Sequence, residues 1–220
     1  MAHEDLLARI DFFAEAPASV IREIAAEGSE LHLVRGDVLF REGDVADSLY
    51  LVVSGRVAIA IENPIDHRET VVALMDSGDL FGEMSMLDEG VRSAQARALE
   101  PSVVFCVPFE PVVRAFRSDP NLLWGVCRLL ARRLRTMDVA LADSMFLDVT
   151  GRTAKRLLEM SDGNDDFVLP VTQEELAGMV GASRERVNKA IAAFIRLGWI
   201  TQHERNYSIL KRSELVNRAN

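Results

Sequence analysis

The sequence predicts an α+β protein with an N-terminal antiparallel β-barrel of the jelly-roll kind, one long helix and a C-terminal helical unit with a β-hairpin. Short apolar runs separated by glycine turns occupy 31–108, a heptad pattern follows, and two helices precede a hairpin near the C-terminus. Many short strands at such spacing are typical of antiparallel barrels and sandwiches. We place the boundaries of the three parts at 1–118, 119–147 and 148–220.

The composition favours a folded protein whose charge is unevenly distributed. Of 220 residues, 49% are hydrophobic, which suffices for a sizeable core. The net charge is −9, but 148–220 contain 11 basic and 10 acidic residues, whereas the first 147 residues contain 14 and 24. The overall charge therefore does not exclude nucleic-acid binding by the C-terminal part, because such binding depends on a local basic face.

The sequence lacks targeting and membrane signals. Its start, MAHEDLLARIDFF, carries acidic residues and no apolar core of a signal peptide. No apolar stretch approaches the roughly 18 residues of a membrane helix. We therefore expect a cytoplasmic protein without membrane contact. Cys106 and Cys127 lie in apolar stretches without metal-ligand spacing, so we expect two buried, reduced thiols and no metal site.

No pattern in the sequence is typical of an enzyme. The four histidines are scattered, and no Ser/His/Asp set or metal-binding set can be recognised. The residues that the barrel, the long helix and the C-terminal unit leave over do not suffice for a catalytic domain. We therefore predict that the protein is not an enzyme.

The barrel strands are predicted from short runs rich in branched and aromatic residues, some alternating with a period of two. One or two short helices precede them, since apolar residues there recur at helical spacing. The predicted strand runs are LHLV, DVLF, SLYLVV, RVAIAIE, ETVVALM, AQARAL and SVVFCV.

The long helix is predicted after Pro120, a residue well suited to a first helical turn. Apolar positions recur with alternating spacings of three and four, which is typical of a two-stranded coiled coil. The alternative is that this face packs against the chain's own barrel. We favour a homodimer because one barrel could hardly cover a helix of about 40 Å. The heptad positions are Leu123, Cys127, Leu130, Leu134, Met137, Leu141 and Ser144.

The C-terminal unit has the pattern of a winged helix-turn-helix. Thr172 and Glu175 match a capping box, GAS at 181–183 makes a turn, and Ser183 can cap the next helix. We expect that second helix to bury Val187, Ile191, Phe194 and Ile195 and to expose Arg184, Glu185, Arg186, Asn188 and Lys189.

This arrangement suits a recognition helix, whose first residues can reach base edges in the major groove of DNA. A surface helix with solvated charges is the alternative, although the hairpin that follows favours a wing. Arg205 at the wing tip is expected to meet a phosphate. The candidate DNA contacts are Thr172, Gln173, Ser183, Arg184, Glu185, Asn188, Lys189 and Arg205.

The stretch FGEMSMLDEGVRSAQ, from Phe81 to Gln95, contains a candidate ligand site. Gly82 would let a ligand approach backbone N–H donors, and Glu83 could accept from ribose-type hydroxyls. Arg92 carries a permanent charge in a fork suited to phosphate, and Ser93 adds a hydroxyl. A salt bridge between Arg92 and Glu83 without any ligand is equally compatible with these residue types.

The chain resembles the cyclic-AMP receptor protein/FNR family of bacterial transcription regulators, especially its actinobacterial cyclic-AMP-responsive members, over nearly its whole length. FGEMSMLDEGVRSA is similar to the family's phosphate-binding cassette, and GDVLFREGDVADSLYLVVSGRVAI to the strands before it. LARRLR, FLDVTGR, TQEELAGMVGASRERVNKAI and LGWI are similar to the dimer helix, the hinge and the winged helix.

The resemblance implies that cyclic AMP is an allosteric ligand. The Gly82 backbone and the Glu83 side chain would then hold the ribose region, and Arg92 and Ser93 the cyclic phosphate, with Met84 a further ligand contact. It also implies a homodimer whose ligand-dependent reorientation, through a hinge near Leu147-Asp148, controls binding to double-stranded DNA, with RNA polymerase as an expected partner.

The resemblance assigns base-contacting positions to Arg184, Glu185 and Lys189, which would read palindromic half-sites like TGTGA. The sequence departs from the family at Met137-Asp138, where cyclic-AMP-responsive members carry a Thr-Ser or Thr-Asn pair that contacts the adenine amino group. Asp138 could accept from that amine. The departure leaves open a regulator of the same fold that binds DNA without cyclic nucleotide or responds to another ligand.

Overall fold

The protein is described here from a computed structural model, which covers residues 3–62 and 69–220. The described residues form two compact units, one made of 3–62 with 72–135 and the other of 69–71 with 136–220. Antiparallel sheets dominate the first unit and helices the second, so the predicted α+β class is confirmed. The division at 118 and 147 stays a prediction.

Two short helices and a 3₁₀ turn open the first unit, as the helical spacing predicted. Their buried side chains, including Leu7, Phe12 and Ile24, pack into one core with the outer face of the barrel. The bounds are α1 (His3–Leu7), the 3₁₀ turn Asp11–Phe13 and α2 (Ala18–Ala26).

The barrel consists of two four-stranded sheets with the strand orders β1-β8-β3-β6 and β2-β7-β4-β5. Every predicted run forms a strand, and the two-residue strand β6 is additional. The described pairings are antiparallel, in agreement with the prediction. The bounds are β1 (Ser29–Leu33), β2 (Val38–Phe40), β3 (Ser48–Ser54), β4 (Val57–Glu62), β5 (Glu69–Met75), β6 (Leu80–Phe81), β7 (Gln95–Ala98) and β8 (Ser102–Pro108).

Side chains along β3 and β8 point alternately toward the N-terminal helices and into the barrel interior. Leu51 and Phe105 pair across the two strands and belong to the core shared with the helices. Tyr50 and Cys106 pair one step along and belong to the interior, together with Phe81. The half-buried Cys106 thus lies in an aromatic interior.

Three helices follow or interrupt the barrel strands: α3 (Met84–Leu87), α4 (Phe109–Ser118) and α5 (Leu123–Phe146). The 24 residues of α5 confirm the predicted long helix, with Pro120 in a 3₁₀ turn just before it. Among residues 3–62 and 69–220, no helix is long and apolar enough to cross a lipid bilayer.

The heptad face of α5 is exposed in the single chain. Leu134 and Leu141 are 60% and 61% exposed. The barrel therefore does not cover Leu134, which belongs to the same unit, contrary to the alternative considered above. Cys127 lies on the same face and is exposed, so the expectation of two buried thiols is wrong.

The second unit folds around α6, α7 and α8, with a three-stranded sheet in the order β10-β11-β9. Its core contains Leu157, Leu176, Phe194 and Tyr207. The bounds are α6 (Val149–Met160), β9 (Asp166–Val168), α7 (Gln173–Val180), α8 (Arg184–Arg196), β10 (Ile200–His203), β11 (Asn206–Ile209) and α9 (Arg212–Arg218).

Asp148 separates α5 from α6. Its carboxylate accepts the Gly151 N–H at 2.8 Å as the N-cap of α6, and it also pairs with Arg218 at the end of α9. The cap and the ion pair both lower the pKa of Asp148, the cap contributing most. The predicted hinge is thus a capped helix start that is tied to the C-terminal helix.

Candidate functional site

The backbone of Arg92 is held by the turn that follows β2. The Arg92 N–H donates to the Asp44 carbonyl at 2.9 Å, and the Gly43 N–H donates to the Arg92 carbonyl at 2.8 Å. The turn itself is closed by a bond from the Asp44 N–H to the Arg41 carbonyl. Two distant segments, REGD and VRS, therefore meet at a fixed register at the barrel.

The Arg92 guanidinium is buried, with 3% of the residue exposed. Nη1 donates to the Gly82 carbonyl at 2.8 Å and Nη2 to the Ser48 carbonyl at 2.6 Å. Among the residues that the structure describes, no carboxylate forms an ion pair with Arg92, and its buried Nε has no hydrogen-bond partner. Burial lowers the pKa of Arg92, against opposing contributions from Tyr50 and Asp47. Arginine nevertheless remains charged in proteins, so this is a buried cation that lacks a paired anion.

Gly82 leaves room for this guanidinium. Its φ of +81° lies in the left-handed region, and a Cβ at this position would come within 2.8 Å of Arg92 Nη1. A larger residue would therefore be strained and would displace the cation. The glycine that the sequence suggested for close ligand approach thus also allows the close approach of Arg92.

Glu83 is fully buried beside it, at 0% exposure. Its Oε1 pairs with Nη1 of Arg133 on α5, and Arg133 Nη2 donates to the Leu80 carbonyl at 2.5 Å. Within the described part of the chain, Glu83 Oε2 is buried without a hydrogen-bond partner. Burial raises the pKa of Glu83, and the charge of Arg133 opposes that rise. The free oxygen is an acceptor that needs a donor.

Arg92 and Glu83 do not pair with each other, so the alternative of a salt bridge between them is wrong. Arg92 is held by backbone carbonyls, and Glu83 is held by Arg133. Sequence reasoning missed Arg133, which lies 50 positions from Glu83. Its signal is the basic run ARRLR on α5, but spacing does not say which of those arginines turns toward the barrel.

The other predicted ligand contacts are exposed. Met84 begins α3 and is 48% exposed, and the Ser93 hydroxyl approaches its sulfur at 4.0 Å. Met137 and Asp138 lie on α5 in the second unit, where both are exposed. The structure thus brings Gly82, Glu83 and Arg92 together at one site with Met84 and Ser93 nearby in sequence.

The helix-turn-helix forms as its local signals predict. The Glu175 N–H donates to Thr172 Oγ1 at 3.2 Å, and the Thr172 N–H donates to the Glu175 carboxylate at 2.6 Å, which completes the capping box. Gly181 ends α7 with a φ of +68°. The Ser183 hydroxyl accepts the Arg186 N–H at the start of α8, although at a long 3.4 Å. Local chemistry thus sets where α8 begins.

The outer face of α8 is polar and exposed. Glu185 and Lys189 pair at 2.7 Å one turn apart and are both about three-quarters exposed. The buried face includes Phe194, as expected, but Ile195 is 40% exposed and that expectation is wrong. It borders a shallow cavity with Gln202 of the hairpin, so its side chain is only partly covered. The exposed candidates here are Ser183, Arg184, Glu185, Arg186, Asn188 and Lys189.

The side chains of two predicted DNA contacts form hydrogen bonds within the protein. Arg205 lies in the hairpin turn, but its Nε and Nη2 both donate to the Leu169 carbonyl, at 3.1 and 2.8 Å. Gln173 donates from its side-chain amide to the Tyr207 hydroxyl at 2.8 Å. Arg205 thus lies in the hairpin turn, as expected, while its guanidinium bonds to the loop after β9, and its contact with a DNA phosphate stays a prediction.

The segments that contain the two sites match two known protein families. Residues 30–119 match the cyclic nucleotide-binding domain, and residues 151–218 match the Crp-like helix-turn-helix domain. Together they define a DNA-binding transcription regulator with a cyclic-nucleotide-binding domain, and not an enzyme. The chain belongs to the CRP/FNR family.

Relatives of known name support this assignment. A CRP-like cAMP-activated global transcriptional regulator of Mycobacterium tuberculosis is 34% identical over 98% of this chain and 99% of its own length. A cyclic AMP receptor protein of Thermus thermophilus is 35% identical over 80% of this chain and 84% of its own. The resemblance to the family, including an actinobacterial relative, is therefore confirmed.

Two solved structures have the same fold. FixK2 from Bradyrhizobium japonicum superposes with a TM-score of 0.79 at 21% identity, covering 88% of this chain and 98% of its own. The c-di-GMP responsive global regulator CLP from Xanthomonas campestris gives a TM-score of 0.76 at 26% identity, over 88% of this chain and 99% of its own.

The buried Glu83 predicts a specific dependence of stability on pH. Because its pKa is raised in the folded state, the folded protein holds this proton more tightly than the unfolded chain does. The protonated carboxyl therefore contributes to the stability of the folded protein at low pH. This contribution is lost as the pH rises from 4.5, the ordinary pKa of a glutamate, through the raised pKa of Glu83. In thermal unfolding between about pH 5 and about pH 7.5, the wild type should therefore lose stability relative to Glu83→Gln as the pH rises. Parallel curves for the two proteins would contradict a raised pKa.

Proposed function

We propose that the protein is a homodimeric transcription regulator that binds cyclic AMP in its barrel and thereby changes its affinity for DNA. The observation that carries the proposal is the pair of incomplete polar groups in the barrel: the buried cation of Arg92 without an ion-paired anion, and the buried Glu83 with one free oxygen. Such a pair is costly without a ligand, because neither group is fully compensated.

A cyclic nucleotide supplies what each group lacks. Its phosphate is an anion for Arg92, whose Nε is free, and the Ser93 hydroxyl on the next residue can donate to it. Its ribose hydroxyl is a donor for Glu83 Oε2. The backbone at Gly82 and Met84 would hold the same region. The matched domain and the names of the relatives support a cyclic nucleotide as the ligand class, and cyclic AMP is our proposal within it.

The exposed heptad face of α5 supports the homodimer. Leu134, Met137 and Leu141 are each at least 60% exposed on one helix face, which is unfavourable in water without a partner. The spacing of these residues is that of a two-stranded coiled coil. A second copy of the chain would cover the face of the first.

The DNA contact is proposed for the exposed start of α8. Arg184 can donate to guanine O6 and N7, and Glu185 can accept from cytosine N4. Two such helices in a dimer would meet half-sites about 34 Å apart, which suits a palindrome of TGTGA-like halves. Further contacts are proposed for Thr172, Ser183, Asn188 and Lys189. RNA polymerase is a partner in this proposal, since the protein regulates transcription.

The alternative proposal is a response to another ligand, or DNA binding without one. Met137-Asp138 stands where cyclic-AMP-responsive family members carry a Thr-Ser or Thr-Asn pair. The fold neighbour from Xanthomonas campestris is named for a response to c-di-GMP, so one fold serves more than one nucleotide. Calorimetry with cyclic AMP, cyclic GMP and c-di-GMP separates the two proposals.

Arg92→Leu tests the ligand site. The change removes the phosphate partner, and a charge-assisted hydrogen bond contributes about 1.5–3 kcal/mol, so loss of the bond from Nε should lower the affinity for cyclic AMP by about 10- to 150-fold. Titration calorimetry measures it. The matched control is Arg35→Leu, which removes the same charge from an exposed loop and should bind as the wild type does. Retained affinity in Arg92→Leu would refute the phosphate role.

Arg184→Ala tests the DNA contact. Loss of a bidentate base contact should cost about 1–3 kcal/mol on a specific site and relax the preference at one base position. Fluorescence anisotropy with a set of half-site variants, at fixed salt, measures both effects. Arg196→Ala, at the exposed far end of α8, is the matched control. An equal loss on all sequences would instead make Arg184 a phosphate contact.

A further inference from the structure

Three aromatic rings surround the Arg92 guanidinium. Its central carbon lies 4.2 Å from the ring centre of Phe40, 5.4 Å from that of Tyr50 and 5.8 Å from that of Phe109. All three distances are within the range of cation–π attraction, and the Phe40 distance is that of a guanidinium resting on the ring face. The sequence did not mark any of these residues as part of a site.

The three rings stabilise the positive charge of Arg92, as a counter-ion would. The described residues offer Arg92 two backbone carbonyls but no ion-paired carboxylate. A ring face attracts the cation without accepting its N–H groups, whereas a carboxylate would neutralise it and occupy those donors. The cation is therefore kept buried while one donor, Nε, stays unoccupied.

Phe40 is itself held in a fixed position. It is the last residue of β2, and its ring contacts Tyr50 and Phe81 with ring centres 5.6 and 6.2 Å away. The turn that begins at Arg41 is also the turn that holds the Arg92 backbone. Phe40 thus directly precedes the turn that fixes the backbone of the cation, while its ring is fixed by Tyr50 and Phe81.

We infer that Phe40 is a positioning residue of the anion site: its ring face fixes the plane of the Arg92 guanidinium so that the unpaired Nε–H meets an anionic oxygen. The inference rests on the proposed function in that the anion is taken to be the phosphate of a cyclic nucleotide. Phe40 does not touch the ligand in this arrangement. It acts through Arg92.

The test uses the full-length chain with cyclic AMP and, separately, inorganic phosphate as probes. Phe40→Leu and Phe40→Met remove the ring face, leave smaller apolar side chains of branched and unbranched shape, and should weaken cyclic AMP binding roughly 5- to 30-fold. Phe40→Tyr keeps the face and should bind within about twofold of wild type. Phe116→Leu is the matched control, since this ring is buried in the same unit but packs on Phe12.

Calorimetry gives the affinities and thermal unfolding gives the stability of each variant. A merely structural role predicts that affinity follows stability, so Phe116→Leu and Phe40→Leu would then lose affinity alike. That result would overturn the inference, as would wild-type affinity in both Phe40→Leu and Phe40→Met. Recovery in Phe40→Tyr, with no loss in Phe116→Leu, is the expected result.

Phosphate separates this inference from the proposed function. If phosphate but not cyclic AMP stabilises the wild type against heat, the proposed ligand is wrong. The inference then stands if Phe40→Leu abolishes the phosphate effect, and it falls if the effect persists. A wild type that neither probe stabilises would overturn both.

Discussion

The buried charge of Arg92 is the constraint on which the barrel site depends. A cation at 3% exposure without an ion-paired carboxylate must be compensated by other means. The charge is compensated by two backbone carbonyls and three ring faces. A left-handed glycine, Gly82, leaves space for the guanidinium, and the turn after β2 holds the Arg92 backbone. Each of these elements also limits where the guanidinium can lie. Within the described residues, the barrel thus positions the Arg92 cation without neutralising its charge, which leaves the cation able to bind an anion.

A second buried group extends the site to the long helix. Glu83 is adjacent in sequence to the glycine beneath Arg92, and its partner Arg133 lies on α5. A ligand that donates a hydrogen bond to the free oxygen of Glu83 would change the strength of the ion pair between Glu83 and Arg133. The same helix carries the exposed heptad face. In the proposed function, ligand binding and helix pairing would therefore involve the same helix, which is a physical requirement for coupling them.

Local signals in the sequence predicted the fold well, because strands, caps and turns depend on neighbouring residues. The capping box at Thr172, the left-handed Gly181 and the heptad face of α5 are of this kind. The site was predicted in part: Gly82, Glu83 and Arg92 come together. Arg133 was missed, as was the bond from Arg205 to the Leu169 carbonyl, because each side chain is held by a partner more than 30 positions away, and spacing carries no information on such pairs.

The most direct test of the proposed regulation is the DNA affinity of the wild-type protein with and without saturating cyclic AMP, measured at one stated salt concentration on a palindromic TGTGA-like site. The coupling described here predicts that cyclic AMP changes the affinity by about 5- to 150-fold, the usual range for allosteric regulators. Equal affinity in both conditions, with a dimer that demonstrably binds cyclic AMP, would contradict it.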